Sequence, residues 1–185
     1  TMRYLWQRGV IRHITRRGFL PDAVWNNLLT VQSARFELKR PVRLIFSSQV
    51  HIPMTWGWRR PVILMPLAAQ DWDTERRSVV LLHELAHIVR NDYLTQWIAL
   101  ACCALNWFNP LTWWAARQMA VEREQASDDL VLNVGVRSTE YATHLLEIAR
   151  SAIHKPAFQM LTLAMARRSA LERRIRGILN TQIGR

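Results

Sequence analysis

Between the apolar runs Val79-Val80-Leu81-Leu82 and Ile88-Val89 lies His83-Glu84-Leu85-Ala86-His87. Histidines at i and i+4 of an α-helix project from one face about one turn apart, so both imidazoles can reach a single Zn²⁺ at about 2.0 Å. Glu84 then stands beside the metal without ligating it, placed to take a proton from a water. Chance alone produces such a five-residue pattern in about one sequence of this composition in a hundred. The plain alternative is a surface helix with two ordinary histidines. That alternative calls for polar flanks, and these flanks are apolar; two imidazoles and a carboxylate without partners in a buried helix would be costly.

A catalytic zinc needs a third protein ligand and an open position for water. The segment Val121-Glu122-Arg123-Glu124-Gln125-Ala126-Ser127-Asp128-Asp129 supplies the acids. Glu124 and Asp128 are four apart and share a helical face, so Glu124 is the expected ligand. Asp128 is expected to accept a hydrogen bond from the far nitrogen of a ligating His, which fixes its tautomer. Glu122 and Asp129 point elsewhere. A solvated acidic face is the alternative, in a chain otherwise poor in acids.

The elements that must hold these groups follow from pattern. Pro21-Asp22 opens a helix carrying Val24, Leu28 and Val31. Three short β-like runs follow, at 42–46, 50–55 and 62–65, separated by Ser47-Ser48 and Gly57 and closed by Pro66. Asp73-Thr74 is an N-cap signal for a helix reaching Arg90; Pro110 suits the first turn of another ending near Gly135. Ser138-Thr139 caps a helix to about Ser151, and Ser169-Ala170-Leu171-Glu172 reads as a capping box for the last one. The expected fold class is α+β and mostly α-helical, with a small three-stranded sheet before the zinc helix.

The chain has 185 residues, half of them apolar, 21% charged and only 6 Gly, so a disordered tail, a collagen-like repeat and a Gly/Ser linker are excluded. One domain is the expectation for this length. The 25 Lys+Arg against 14 Asp+Glu leave +11, almost all of it Arg, since Lys39 and Lys155 are the only lysines. Such a charge calls for an anionic neighbour. Nine Trp among so many Arg suit a lipid interface, with a Trp-rich core as the alternative. Residues 2–17 read as a basic amphipathic segment, so residues 1–20 are assigned to a juxtamembrane segment and 21–185 to the zinc domain. The start shows no signal-peptide pattern. Adjacent Cys102 and Cys103 cannot build a disulfide framework and read as buried thiols in a reducing compartment.

Residues 93–116 are free of charge. Asn109-Pro110 cuts that stretch, and the helix up to Phe108 covers only about 24 Å against the roughly 30 Å of a bilayer core. A buried or interface-dipping helix is therefore expected rather than a span.

Taken together, His83-Glu84-Leu85-Ala86-His87 with Arg90-Asn91-Asp92, then Trp107-Phe108-Asn109-Pro110-Leu111 with Trp113, then Arg123-Glu124 and Asp128, form an ordered set. On these residues, and on Pro61-Val62-Ile63-Leu64-Met65-Pro66 upstream, the sequence resembles the cytoplasmic peptidase domain of the BlaR/MecR family of membrane metallopeptidases, over roughly residues 40–180. The resemblance implies two histidines and one glutamate on zinc, a Glu general base, a gluzincin-like domain and an integral-membrane parent. It is similar, more distantly, to the HtpX-like peptidases, whose third ligand also lies in Glu-x-x-x-Asp. Three departures stand out. No Ser-x-x-Lys sensor motif occurs, position 127 is Ser where the antirepressors have Cys, and the Asn of the HtpX-like strand has no counterpart near residues 53–57.

The expected function is zinc-dependent hydrolysis of a peptide bond in a regulatory protein such as a transcriptional repressor, and in the protein itself, at the cytoplasmic side of the inner membrane. Zn²⁺ is the expected cofactor, bound by His83, His87 and Glu124, with Glu84 as base. Val62, Ile63, Leu64 and Met65 are expected to offer an open strand edge to an extended substrate. Arg174, in the final helix, looks like the Arg of an Arg-Ile element in the HtpX-like enzymes and is the candidate catalytic cation for the oxyanion. Its alternative is pairing with a membrane phosphate or a surface carboxylate. Protein substrate and lipid surface are the expected partners, and nucleic acid is not, because no nucleic-acid-binding motif accompanies the charge. A metal-holding signalling scaffold without activity is the first rival reading, and a basic nucleic-acid-binding module, supported by the charge alone, is the weaker one.

Overall fold

In the computed structural model, residues 18–153 and 164–180 are described, with side chains for 18–150 and 171–180. The basic segment 2–17 lies outside them.

Helix α1 (Ala23–Arg35) starts where the Asp22 side chain accepts the backbone N–H of Trp25 at 2.8 Å. Its buried stripe is Trp25, Leu29 and Gln32, while Val24 and Val31 face outward. The large indole decides this: Trp25 packs edge-on against Phe46 with ring centroids 5.3 Å apart. Strands β1 (Arg43–Ser47), β2 (Met54–Trp56) and β3 (Val62–Pro66) form a sheet ordered β1-β3-β2, parallel between β1 and β3 and antiparallel between β2 and β3. Gly57, at φ +91°, turns the chain out of β2 where a Cβ would meet the Arg60 carbonyl at 2.9 Å.

This order corrects one expectation. Val62, Ile63, Leu64 and Met65 lie in the middle strand and are wholly buried, the first three paired on both sides and Met65 with β1, so they do not form the open edge expected for a substrate. An all-apolar run is what a central strand needs, with Ile63 and Met65 meeting α1 and the next helix and Val62 and Leu64 covering the other face.

A 3₁₀ turn (Leu67–Asp71) leads to α2 (Thr74–Val89), capped by Asp73 accepting Arg76 N–H at 2.7 Å. Leu81 and Leu85 pack toward α1 and the sheet, Leu82 and Ala86 toward the later helices. Burying each such leucine stabilises the fold by about 1.5–3 kcal/mol, so α2 is clamped from both sides. Asn91, in the left-handed region at φ 57°, reverses the chain at once into α3 (Asp92–Leu105). Asn109 caps α4 (Pro110–Asn133), with Pro110 in its first turn. Helix α5 (Ser138–Ile153) follows Gly135, and α6 (Ala164–Asn180) ends the described chain. The expected capping box at Ser169 is not a helix start: Ala164-Met165-Ala166-Arg167-Arg168 are good helix formers and α6 is already under way.

The molecule is thus α+β and mostly helical, as expected, with a three-stranded sheet before the histidine helix. Cys103 is buried, but Cys102 is exposed on α3, which corrects its reading as a buried thiol.

Candidate metal centre

Residues of β2 and of helices α2 to α6 line one cleft of about 310 Å³. From α2 come His83 and His87, whose Nε2 atoms lie 3.2 Å apart. From α4 comes Glu124, with Oε2 3.7 Å from His83 Nε2 and Oε1 3.8 Å from His87 Nε2. Tetrahedral ligands held at about 2.0–2.1 Å from a zinc lie about 3.3–3.4 Å from one another. The three donors fit that ion in type and spacing, and each can bring one atom within 4.8 Å of the others.

The far nitrogens explain why the near ones face inward. His83 Nδ1 lies 2.8 Å from the Tyr141 hydroxyl and 3.3 Å from Asp128 Oδ1. Tyr141 in turn donates to Asp128 Oδ1 at 2.5 Å. His87 Nδ1 lies 2.7 Å from Asp92 Oδ2, and the buried Ser127 hydroxyl donates to the same oxygen at 3.3 Å. With Nδ1–H donating on both rings, both Nε2 lone pairs are left for a metal. Ser127 thus has a defined place beside His87, as a Cys there would.

Arg174, from α6, is a largely buried member of this network. Its Nε and Nη2 grip Asp128 Oδ2 and Oδ1, each at 2.7 Å, and its Nη1 lies 3.2 Å from Glu124 Oε2. Its partners are therefore these carboxylates, and its Nη2 stands 3.4 Å from His83 Nε2. Helix α6 presents Arg174 to the cleft because Ile178, one turn on, is buried among α2, α4 and α5.

The charges hold one another. Burial alone would raise the Asp128 carboxyl, yet the Arg174 hydrogen bonds keep it well below the usual carboxylate range. Burial likewise opposes ionisation of Glu124, but the neighbouring His83 lowers it to about 2. Burial would depress His83, and the bonds to Asp128 and Glu124 outweigh it, raising the metal-free imidazole to about 9. Burial pushes the Tyr141 phenol well above its ordinary value, with the Asp128 charge adding to it, so it remains a donor.

Glu84 is buried beside the histidines, its Oε2 accepting from Thr55 Oγ1 at 2.6 Å. Thr55 sits on β2, within the stretch 53–57 that holds no Asn. Glu122 and Asp129 face solvent. Sequence reasoning missed Thr55, Asp92 and Tyr141. Asp92 carried a signal, five residues after His87 and just past a helix end; Tyr141 carried none.

Two histidines one helical turn apart, facing a carboxylate from a second helix and flanked by a buried glutamate, form a candidate metal site with the donor set that metal-dependent hydrolases use. The family model described as BlaR1 peptidase M56 matches residues 2–178, and the chain belongs to that family. It is 34% identical over 101 residues to Regulatory protein BlaR1 of Bacillus licheniformis, covering 55% of this chain and 16% of that protein. It is 25% identical over 143 residues to Regulatory protein BlaR1 of Staphylococcus aureus, covering 75% of this chain and 24% of that one. With the Methicillin resistance mecR1 protein of Staphylococcus aureus it shares 22% over 123 residues, 65% of this chain and 21% of the relative. The chain thus spans a quarter or less of the length of these curated relatives.

Proposed function

We propose that this chain is a gluzincin-like, zinc-dependent endopeptidase domain of a membrane signalling protein, with His83, His87 and Glu124 as ligands and Glu84 as general base. The observation that carries it is the inward convergence of both Nε2 atoms on Glu124 while Asp128 with Tyr141, and Asp92, hold the outward nitrogens.

Bound there, zinc supplies Lewis acidity toward a water and a carbonyl oxygen. Glu84, oriented by Thr55, takes the proton of the attacking water and delivers it to the leaving amine. The Arg174 guanidinium, beside Glu124 and His83, places positive charge where the oxyanion develops. Among the described strands β2 is an edge of the sheet and its Met54 and Thr55 line the cleft, so the extended substrate pairs along β2 rather than along β3.

The substrate class is a regulatory protein, with a transcriptional repressor and the parent protein itself as the targets to try first. Residues 1–20 form the juxtamembrane segment, residues 21–185 the peptidase domain, and that domain works on the cytoplasmic face of the membrane. None of the helices among the described residues is long and apolar enough to cross a bilayer. The test is proteolysis of candidate repressors by zinc-loaded protein, with the Glu84→Gln variant alongside. Cleavage by the parent and none by the variant supports the reading; zinc-loaded protein that cleaves nothing favours the scaffold.

A further inference from the structure

We propose that the hairpin of α3 and α4 is a lipid anchor, its aromatic tip seated in the headgroup–acyl boundary of an anionic membrane. Helices α3 and α4 run from the metal cleft to a short turn at Asn106 and Asn109. Around that turn Leu105, Trp107, Phe108, Leu111 and Trp114 are 61–78% exposed, and Ile98 on α3 adds to the same apolar surface. So many large side chains gathered at one projecting end mark an interaction surface.

Three observations select lipid as its occupant. Several polar groups of the tip are bonded within it. Trp113 Nε1–H donates to the Trp107 carbonyl at 3.0 Å, Asn106 Nδ2–H to the Cys102 carbonyl at 3.1 Å, and Asn109 Oδ1 accepts Leu111 N–H at 2.9 Å. Such internal bonds lower the cost of entering an apolar medium, and exposed indole N–H groups suit the headgroup level. The lengths also match. The first charge past the turn is Arg117, seven residues into α4, so about 10 Å of helix can sink before a charge reaches the lipid, the depth at which interfacial helices lie. Finally, that first charge is an exposed arginine, placed to meet lipid phosphates as the tip enters. Trp and Phe in the tip, with Arg behind them, form the order of an interfacial anchor.

A consequence reaches the cleft. Asp92 opens α3 while bonding His87, and the 14 residues of α3 span about 21 Å. Anchoring the tip therefore holds the metal centre within roughly 10 Å of the headgroups and favours substrates presented close to the bilayer.

The test uses the 185-residue chain and vesicles of phosphatidylcholine with or without phosphatidylglycerol, read by co-flotation and by quenching of Trp emission with lipids brominated on their acyl chains. The expected result is binding to the anionic vesicles, with quenching that falls when Trp107 and Trp114 are replaced by Phe. A Trp107→Glu/Phe108→Glu variant should bind at least about tenfold more weakly, and Arg117→Glu should lose the preference for phosphatidylglycerol. These side chains are exposed, so zinc content and thermal unfolding should not change, and neither readout depends on peptidase activity. Equal flotation of parent and Glu variant overturns the proposal, as does a tip that mediates self-association in the absence of lipid and binds no vesicles.

Discussion

Arg174 holds Asp128 through two parallel hydrogen bonds of 2.7 Å, tying α6 to α4 directly behind the ring of His83. Both side chains are largely withdrawn from water, and Asp128 also receives the Tyr141 hydroxyl. One guanidinium thus orients the carboxylate beside His83, a proposed metal ligand, while its remaining nitrogen reaches Glu124, the proposed third one.

That pairing changes what replacing Arg174 does. Arg174→Ala removes the two-bond cation of buried Asp128 and leaves it only His83 and Tyr141, so the variant should lose stability as well as turnover. Arg174→Lys keeps a charge but loses the fork and should fall between parent and alanine in stability. Denaturant unfolding of the three metal-free proteins checks the order, and an alanine variant as stable as the parent would refute it.

Glu84→Gln should keep zinc and fold while hydrolysis drops by about 10²-fold or more, since the amide is the same size but cannot accept the water's proton. Peptide hydrolysis and zinc content, measured on one preparation, separate loss of base from loss of metal.

Purified protein should hold one zinc per chain, and His83→Ala, His87→Ala or Glu124→Ala should each lower the stoichiometry. Equal zinc in parent and His83→Ala would remove the ligand assignment. Asp92→Asn acts less directly: it weakens the acceptor for His87 Nδ1 and should reduce zinc affinity by about 10- to 100-fold. Competition against a fluorescent chelator gives that ratio.

Stability and zinc affinity should respond to pH in opposite senses. In the metal-free protein Glu124 is lowered from 4.5 to about 2, so its contribution is present above 4.5 and lost as pH falls through 2. His83 is raised from 6.5 to about 9, so its contribution is complete below 6.5 and lost as pH rises through 9. The metal-free chain should therefore melt highest between about pH 4.5 and 6.5. Zinc requires neutral His83, so the rise in Tm on adding zinc should grow from pH 6.5 toward 9. A zinc-induced shift that is flat over this range would contradict the bond network around His83.

The histidine helix, its Asp73 cap, the Pro110 start of α4 and the shared face of Glu124 and Asp128 were all legible in the sequence. Each is a local matter: caps act within one turn, and residues four apart on a helix are neighbours whatever surrounds them. Strand order was not legible, because β1 and β3 pair directly although β2 lies between them in sequence, and nothing within Val62–Pro66 records which strand lies on either side. Nor could a spacing rule find Thr55 against Glu84, or Tyr141 against His83, 29 and 58 positions apart. Those contacts exist because α2 is buried between the sheet on one side and α4, α5 and α6 on the other. The proposed metal ligands are thus written in helical periodicity, while the groups that orient them come from whichever elements the core brings to the far side of each ring.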